Sequence, residues 1–140
     1  MIQVLAIYRP PFYKCWKIGR DITRITTDLG LRPLYAPDSR YERAPWHDNK
    51  LHAHVRKRTL RSPEGSQWHQ DGDFGHIPMD HALVLWSDKY PTEFKINNVI
   101  YKPKPFEIIL FKNLDGYHRR PLNAPRNRYL FRQRIDVNSL

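Results

Sequence analysis

The sequence predicts a single, mainly β domain of the jelly-roll type, buttressed by one helix near the N-terminus. Twelve prolines against six glycines favour turns and short extended segments over long helices. From about residue 50 onward, short apolar runs recur between turn residues, a pattern typical of sandwiches and barrels. A chain of 140 residues fits one domain with one hydrophobic core, so we assign residues 1–140 to one domain.

The first thirty residues predict a strand and then the one substantial helix. Residues 4–7 (VLAI) favour a short strand, which Pro10 and Pro11 bring to an end. The helix is predicted because apolar residues then recur at a spacing of three or four: Ile18, Ile22, Ile25 and Leu29. Gly30 supplies a stop signal. Residues 31–49 contain three prolines and are predicted to be mostly loop.

Further along the chain, short apolar segments between turn residues are predicted to be strands. They are 51–61, 67–71, 82–87 (ALVLWS), 92–96 (TEFKI), 98–102 (NVIYK), 106–111 (FEIILF), 116–119 and 127–135. The N-terminal helix would cover one of the resulting sheets with its apolar face.

The charge balance is strongly basic. The chain has 24 Lys and Arg against 14 Asp and Glu, a formal net charge of +10. Much of the excess lies in residues 50–61 and 119–134. Such a surface either binds nucleic acid or only keeps the domain soluble, and the second interpretation is favoured. Charge alone therefore names no partner.

The cysteine count and the apolar runs exclude other classes of protein. Cys15 is the only cysteine, so neither an internal disulfide nor a cysteine-based zinc site can form. We interpret it as a small buried apolar residue of the helix. The longest apolar runs, such as 108–111, have the length of strands and cannot span a bilayer. No basic leader precedes the first apolar run, so we expect a cytoplasmic protein without membrane attachment.

A histidine and an aspartate stand two residues apart in the stretch 66–73 (SQWHQDGD). This His-x-Asp pair is a weak motif by itself in a chain with seven histidines. On a strand, however, side chains alternate, so His69 and Asp71 would point to the same face. His118, which follows an apolar run and a short turn, is the best candidate for a third ligand. Two histidines and one carboxylate on one face of an octahedron are the ligand set of non-haem iron(II) oxygenases.

Arg128 stands ten residues after His118, at the head of the apolar strand residues Tyr129, Leu130 and Phe131. An arginine at the head of a buried strand needs a matching negative charge, which a carboxylate ligand would supply through two parallel hydrogen bonds. Arg126 competes for this role because it is two residues from Arg128 and would point to the same side of a strand. Arg128 is preferred, since it directly precedes the apolar residues, whereas Arg126 follows a proline in the turn.

Taken together, these motifs make about 80 C-terminal residues similar to the 2-oxoglutarate- and iron(II)-dependent oxygenases, particularly the prolyl-4-hydroxylase-like branch. Residues 62–73 (SPEGSQWHQDGD) resemble the segment that carries the first two ligands, and 82–88 (ALVLWSD) the next core strand. Residues 91–113 (PTEFKINNVIYKPKPFEIILFKN) resemble the strands and the turn before the distal histidine. Residues 118–131 (HRRPLNAPRNRYLF) resemble the distal histidine, a turn and the strand whose arginine holds 2-oxoglutarate.

The resemblance implies a fold, a set of ligands and an activity. The family fold is a double-stranded β-helix of the jelly-roll or cupin-like type. Iron(II) would be held by His69, Asp71 and His118, while Arg128 would bind the cosubstrate 2-oxoglutarate and O2 would be the third reactant. The implied reaction couples oxidative decarboxylation of 2-oxoglutarate to succinate and CO2 with oxidation of a substrate, in particular hydroxylation.

The sequence also departs from the family's pattern. Relatives carry a tyrosine shortly before the metal strand, and residues 58–67 (RTLRSPEGSQ) contain none. The usual glycine before the distal-histidine strand is replaced in 102–108 (KPKPFEI), and the chain is small for the family.

The substrate stays open. A prolyl or other protein side chain is favoured over a nucleic acid or a small molecule. One rival function is a basic, cupin-like module that binds nucleic acid or an acidic protein without catalysis. Another is a nucleic-acid-binding β domain in which the His-Asp pair is incidental.

Other polar and aromatic residues receive less specific interpretations. The remaining histidines are read as solvated, structural or surface residues: His76 and His81 as solvated, and His47, His52 and His54 as structural or surface. Trp68 and Trp86 are read as core or pocket wall. Arg119 and Arg120 either line the mouth of the site or are exposed, and Glu93 makes either a structural ion pair or a substrate contact.

Overall fold

A computed structural model of the protein describes residues 2–33, 67–71, 80–122, 124 and 128–140, apart from the Cys15 side chain. Within these residues the protein is mainly β, with two antiparallel sheets and one α-helix. The elements are β1 (Ile2–Ile7), α1 (Cys15–Asp28), β2 (Ala82–Ser87), β3 (Glu93–Ile96), β4 (Val99–Tyr101), β5 (Glu107–Lys112), β6 (Tyr117–Arg119) and β7 (Leu130–Ile135). Short 3-10 turns lie at Asn113–Asp115 and Val137–Ser139.

The strands form two sheets, which we call sheet A and sheet B. Sheet A has the order β1-β5-β2-β7, and sheet B has the order β4-β3-β6. Within sheet A, Leu85 of β2 lies opposite Ile109 of β5 on one side and Arg132 of β7 on the other. An isolated bridge between His69 and His118 continues sheet B beyond β6. This bridge brings the two segments of the His-x-Asp and distal-histidine motifs side by side.

The core has two parts because β2 is buried on both faces. On one face, α1 packs Ile18 and Ile22 against Val84 and Trp86 of sheet A. This contact follows from the helical spacing of the isoleucines, and each fully buried aliphatic side chain contributes roughly 1.5–3 kcal/mol. On the other face, sheet A packs against sheet B through contacts such as Phe94 with Phe111, whose ring centroids are 4.7 Å apart.

Two local conformations explain where elements end. Gly30 has a φ of 85°, in the left-handed region that glycine adopts without strain, and the helix stops just before it. Asn97 and Asn98 both have positive φ, of 50° and 64°, and connect β3 to β4 in a tight hairpin. Asparagine tolerates this conformation better than most residues, so the Asn-Asn pair suits the turn.

Most sequence-predicted elements within the described residues are confirmed, with small shifts of their ends. The strand predicted at 4–7 begins at Ile2, the helix begins at Cys15, and within the described part of the prediction 127–135 the strand begins at Leu130. The prediction for 67–71 was too long, since within that segment only His69 is paired with another strand segment. The predicted strand 51–61 and nearly all of the predicted loop 31–49 lie outside the described residues. None of the helices in the described part of the chain is long and apolar enough to cross a membrane.

Candidate metal centre

Two histidines and one aspartate from distant parts of the sequence converge on sheet B. His69 and His118 face each other across the bridge, where each backbone N–H donates to the other residue's carbonyl at 3.0 Å. Their imidazole rings lie 4.4 Å apart between centroids. Asp71 lies beside them, with its Oδ1 at 3.1 Å from His118 Nε2 and 3.7 Å from His69 Nε2. One ligand atom from each of the three residues lies within 4.8 Å of the other two.

This spacing suits a single metal ion, because each ligand atom would lie about 2 Å from an ion placed among them. Asp71 and His118 are buried, and His69 is partly exposed. The structure therefore brings together the three residues that the sequence singled out as ligands. The group could hold a metal ion.

The hydrogen bonds of His69 leave a ring nitrogen available for an ion. His69 Nδ1 lies 2.7 Å from the carbonyl oxygen of Gln67, to which it donates in the tautomer that carries its proton on that nitrogen. The other nitrogen, Nε2, then presents its lone pair towards Asp71. Metal-binding histidines commonly donate their second ring N–H to a backbone carbonyl in this way.

The protonation states of the site also suit a cation. Burial acts to raise the pKa of Asp71, but the Arg132 charge and the two imidazoles outweigh it and hold that pKa well below its usual range. Burial, and next the neighbouring His118, lower the pKa of His69. An ionised carboxylate and a neutral imidazole are the forms that bind metal, so no proton has to leave these two groups at neutral pH.

The second oxygen of the Asp71 carboxylate, Oδ2, also has a hydrogen-bond partner. Arg132 of β7 donates from Nη1 to Asp71 Oδ2 at 3.1 Å, so Oδ1 is the oxygen that faces the histidines. Sequence reasoning missed Arg132. The spacing of the residues could have indicated it. Arg132 stands four residues after Arg128, and residues an even number of positions apart on a strand face the same side of the sheet.

Arg128, four residues before Arg132, is a buried cation, and it lies just before β7. Its Nη1 donates to the carbonyl of Tyr90 at 2.7 Å and its Nη2 to Thr92 Oγ1 at 3.3 Å. Among the described residues, the buried Nε has no hydrogen-bond partner, and the same is true of Nε of Arg120. Burial lowers the pKa of Arg128 to about 10, which still leaves it charged at neutral pH. Arg126, the competing candidate, lies outside the described residues.

A small cavity of about 10 Å³ lies between the sheets and is lined in part by Phe94 and by Thr92, the residue whose hydroxyl accepts from Arg128. This volume is close to that of one water molecule. A larger cavity of about 430 Å³ is lined by Trp68 and Tyr117 among others, but it lies on the opposite face of sheet B from the ligand side chains.

The structure corrects or refines the other sequence interpretations. His81 is not solvated but 2 % exposed, because it directly precedes the buried strand β2. Glu93 makes an ion pair with Arg119 at 2.9 Å, and the Arg119 guanidinium stacks on Trp68. Trp86 lies in the core, as interpreted. The other histidines, His47, His52, His54 and His76, lie outside the described residues.

Comparison with known proteins adds no relative from which a role can be transferred. No protein-family model, no curated protein and no solved structure matches the chain.

Proposed function

We propose that this protein is an iron(II)- and 2-oxoglutarate-dependent oxygenase, and more specifically a hydroxylase. The observation that carries the proposal is the convergence of His69, Asp71 and His118, with Asp71 Oδ1 between the two Nε2 atoms. Two imidazoles and one carboxylate on one side of an ion leave its other positions open for oxygen ligands. The tautomer that Gln67 favours in His69 adds to this support.

The order of the strands supports a double-stranded β-helix. After β2 in sheet A, the chain passes to β3 and β4 in sheet B, returns to β5 in A, crosses to β6 in B and ends with β7 in A. This regular alternation is how a jelly roll winds two sheets around a common interior. In such a fold the ligand residues of sheet B point into the space between the sheets.

The surroundings of Arg128 support a carboxylate cosubstrate. Arg128 is 2 % exposed, and its two hydrogen bonds go to the neutral oxygens of Tyr90 and Thr92, while the charge of Asp88 acts on it electrostatically. Its buried Nε has no hydrogen-bond partner among the described residues and could donate to the distal carboxylate of 2-oxoglutarate.

In this proposal the roles of the residues are separate. The bound iron would supply the oxygen chemistry, coupling oxidative decarboxylation of 2-oxoglutarate with substrate oxidation. The chain supplies a neutral His69, an ionised Asp71 and, through Arg132, a fixed orientation of the carboxylate. Arg128 would orient the cosubstrate from the opposite end. A prolyl or other protein side chain is the favoured substrate, and a cytoplasmic location stays a prediction.

The test is an anaerobic titration of the apo-protein with Fe(II) and then with 2-oxoglutarate, followed by visible absorption. We expect the weak metal-to-ligand charge-transfer band of chelated 2-oxoglutarate, and its loss in His118→Ala. His81→Gln is the matched control, because it removes a buried histidine that is not part of the ligand group. Iron binding without the band would overturn the oxygenase proposal and favour a metal-holding, cupin-like binding module. Salt-sensitive retention on a nucleic-acid column would then test that alternative.

A further inference from the structure

Asn113 is completely buried at the point where the chain leaves β5 for β6. Its side chain forms two hydrogen bonds with the backbone of Asp71, which is 42 residues away in sequence. The Asp71 N–H donates to Asn113 Oδ1 at 2.9 Å, and Asn113 Nδ2 donates to the Asp71 carbonyl at 2.7 Å. Both backbone polar groups of the carboxylate ligand are therefore satisfied by one amide.

This contact replaces a missing piece of β-ladder. His69 pairs with His118, so continued antiparallel pairing would set Asp71 opposite Gly116, but the ladder does not extend that far. An unpaired backbone at a buried position would be costly. A primary amide offers one acceptor and one donor in the same arrangement as a peptide group, which neither a hydroxyl nor a carboxylate provides. The Asn113 side chain therefore gives the Asp71 backbone the two hydrogen bonds that a neighbouring strand would otherwise make.

The same residue is connected to both sheets. Its backbone N–H donates to the carbonyl of His81 at 2.9 Å, at the entrance of β2. It also begins the 3-10 turn that leads directly into β6 and His118. The position of the Asp71 backbone is therefore fixed relative to sheet A on one side and to the distal histidine on the other.

We propose that Asn113 is a positioning residue of the metal centre, one that places the Asp71 carboxylate between the two histidines. This inference rests on the metal-binding part of the proposed function. Without the amide, the Asp71 N–H and carbonyl would lose this hydrogen-bond partner, and the carboxylate would be oriented by its contacts with Arg132 and His118 but no longer by the Asp71 backbone. A ligand that must first be ordered binds metal more weakly.

The experiment uses Co(II) alone as the probe, added to the full-length apo-protein and followed by its d–d absorption. Removing a residue that orients a metal ligand typically weakens metal affinity by roughly 10- to 100-fold, and we expect such a loss in Asn113→Ala. Asn113→Ser stays neutral, but its hydroxyl is too short to reach both the N–H and the carbonyl of Asp71, so a loss is expected there too. Both variants should also change the d–d spectrum towards that of Asp71→Ala, which lacks the carboxylate.

Ile22→Val is the control for stability. Ile22 is fully buried on α1 and packs in the core cluster on the far face of sheet A from the metal centre. Removing one buried methyl group is expected to lower the melting temperature while leaving Co(II) affinity and spectrum unchanged. A structural role of Asn113 alone would give that same pattern.

The outcomes separate the two proposals. Wild-type Co(II) affinity and spectrum in the Asn113 variants would overturn the positioning role and leave the metal centre intact. Absence of Co(II) binding by the wild-type protein would overturn the metal centre itself. Should Asn113→Ala fail to fold, Asn113→Ser decides by the same criterion, because it keeps a neutral polar group at the buried position.

Discussion

His81 should make the apo-protein sensitive to acid. The residue is 2 % exposed, and its Nε2 has no hydrogen-bond partner in the described part of the chain. Burial, and next the charge of Arg134, lower its pKa from 6.5 to about 4. Because the folded-state pKa lies below the unfolded one, the unfolded chain binds the proton more readily between these two values. The free energy of unfolding must therefore fall as the pH drops from about 6.5 towards 4.

The magnitude follows from the two pKa values. At about pH 5, protonation of the unfolded chain at this one histidine removes about 2 kcal/mol of stability compared with neutral pH. His81→Leu and His81→Gln carry no ionisable group at this position, so each should lose that much less stability on acidification. The Gln variant keeps a polar side chain, which separates the effect of charge from the effect of hydrophobicity.

The assay is urea unfolding in the presence of a chelator, at about pH 5 and about pH 7.5, with the denaturant slope checked for constancy. Wild-type protein should lose about 2 kcal/mol more than either variant between these conditions. Equal losses in all three proteins would refute the reasoning, since the buried histidine would then titrate alike in the folded and unfolded states.

Two further substitutions test the turn before the distal histidine and the predicted cosubstrate site. Gly116→Ala should lower the free energy of unfolding by roughly 1–3 kcal/mol, because a Cβ there would lie 2.5 Å from the backbone oxygen of Lys95; unchanged thermal unfolding would contradict this. Arg128→Ala should raise the 2-oxoglutarate concentration needed for the charge-transfer band at least tenfold, since it removes a charged hydrogen-bond partner. Arg126→Ala is its matched control, and the assignment is wrong if Arg126→Ala shows the larger effect.

The elements that the sequence predicted well are those that depend on repeating apolar patterns. The isoleucines at 18 and 22 recur at helical spacing and pack on sheet A, and the continuous apolar run of β2 is buried on both faces. The candidate ligands His69 and Asp71 were found because their spacing is local. In these cases one short segment contains the whole signal.

What the sequence did not predict depends on contacts between distant segments. Asn113 reaches Asp71 across 42 positions, and no local pattern marks an asparagine that substitutes for a strand. His81 was expected to be solvated because it follows the metal strand in a predicted loop, yet it is buried because β2 begins at the next residue. The segment 67–71 was predicted to be a strand, but within it only His69 is paired with another segment.

The strand order of sheet A has a consequence for how the protein folds. β1 pairs with β5, Ile2 lying opposite Phe111, and β2 receives its second neighbour only from β7, the last strand of the chain. Such non-local pairing is entropically expensive to begin and favours slow folding, on the order of milliseconds to seconds. During synthesis, the edge of β2 that pairs with β7 has no neighbouring strand until residues 130–135 have been made. Only then can the C-terminal strand bring its arginine to the aspartate near the middle of the chain.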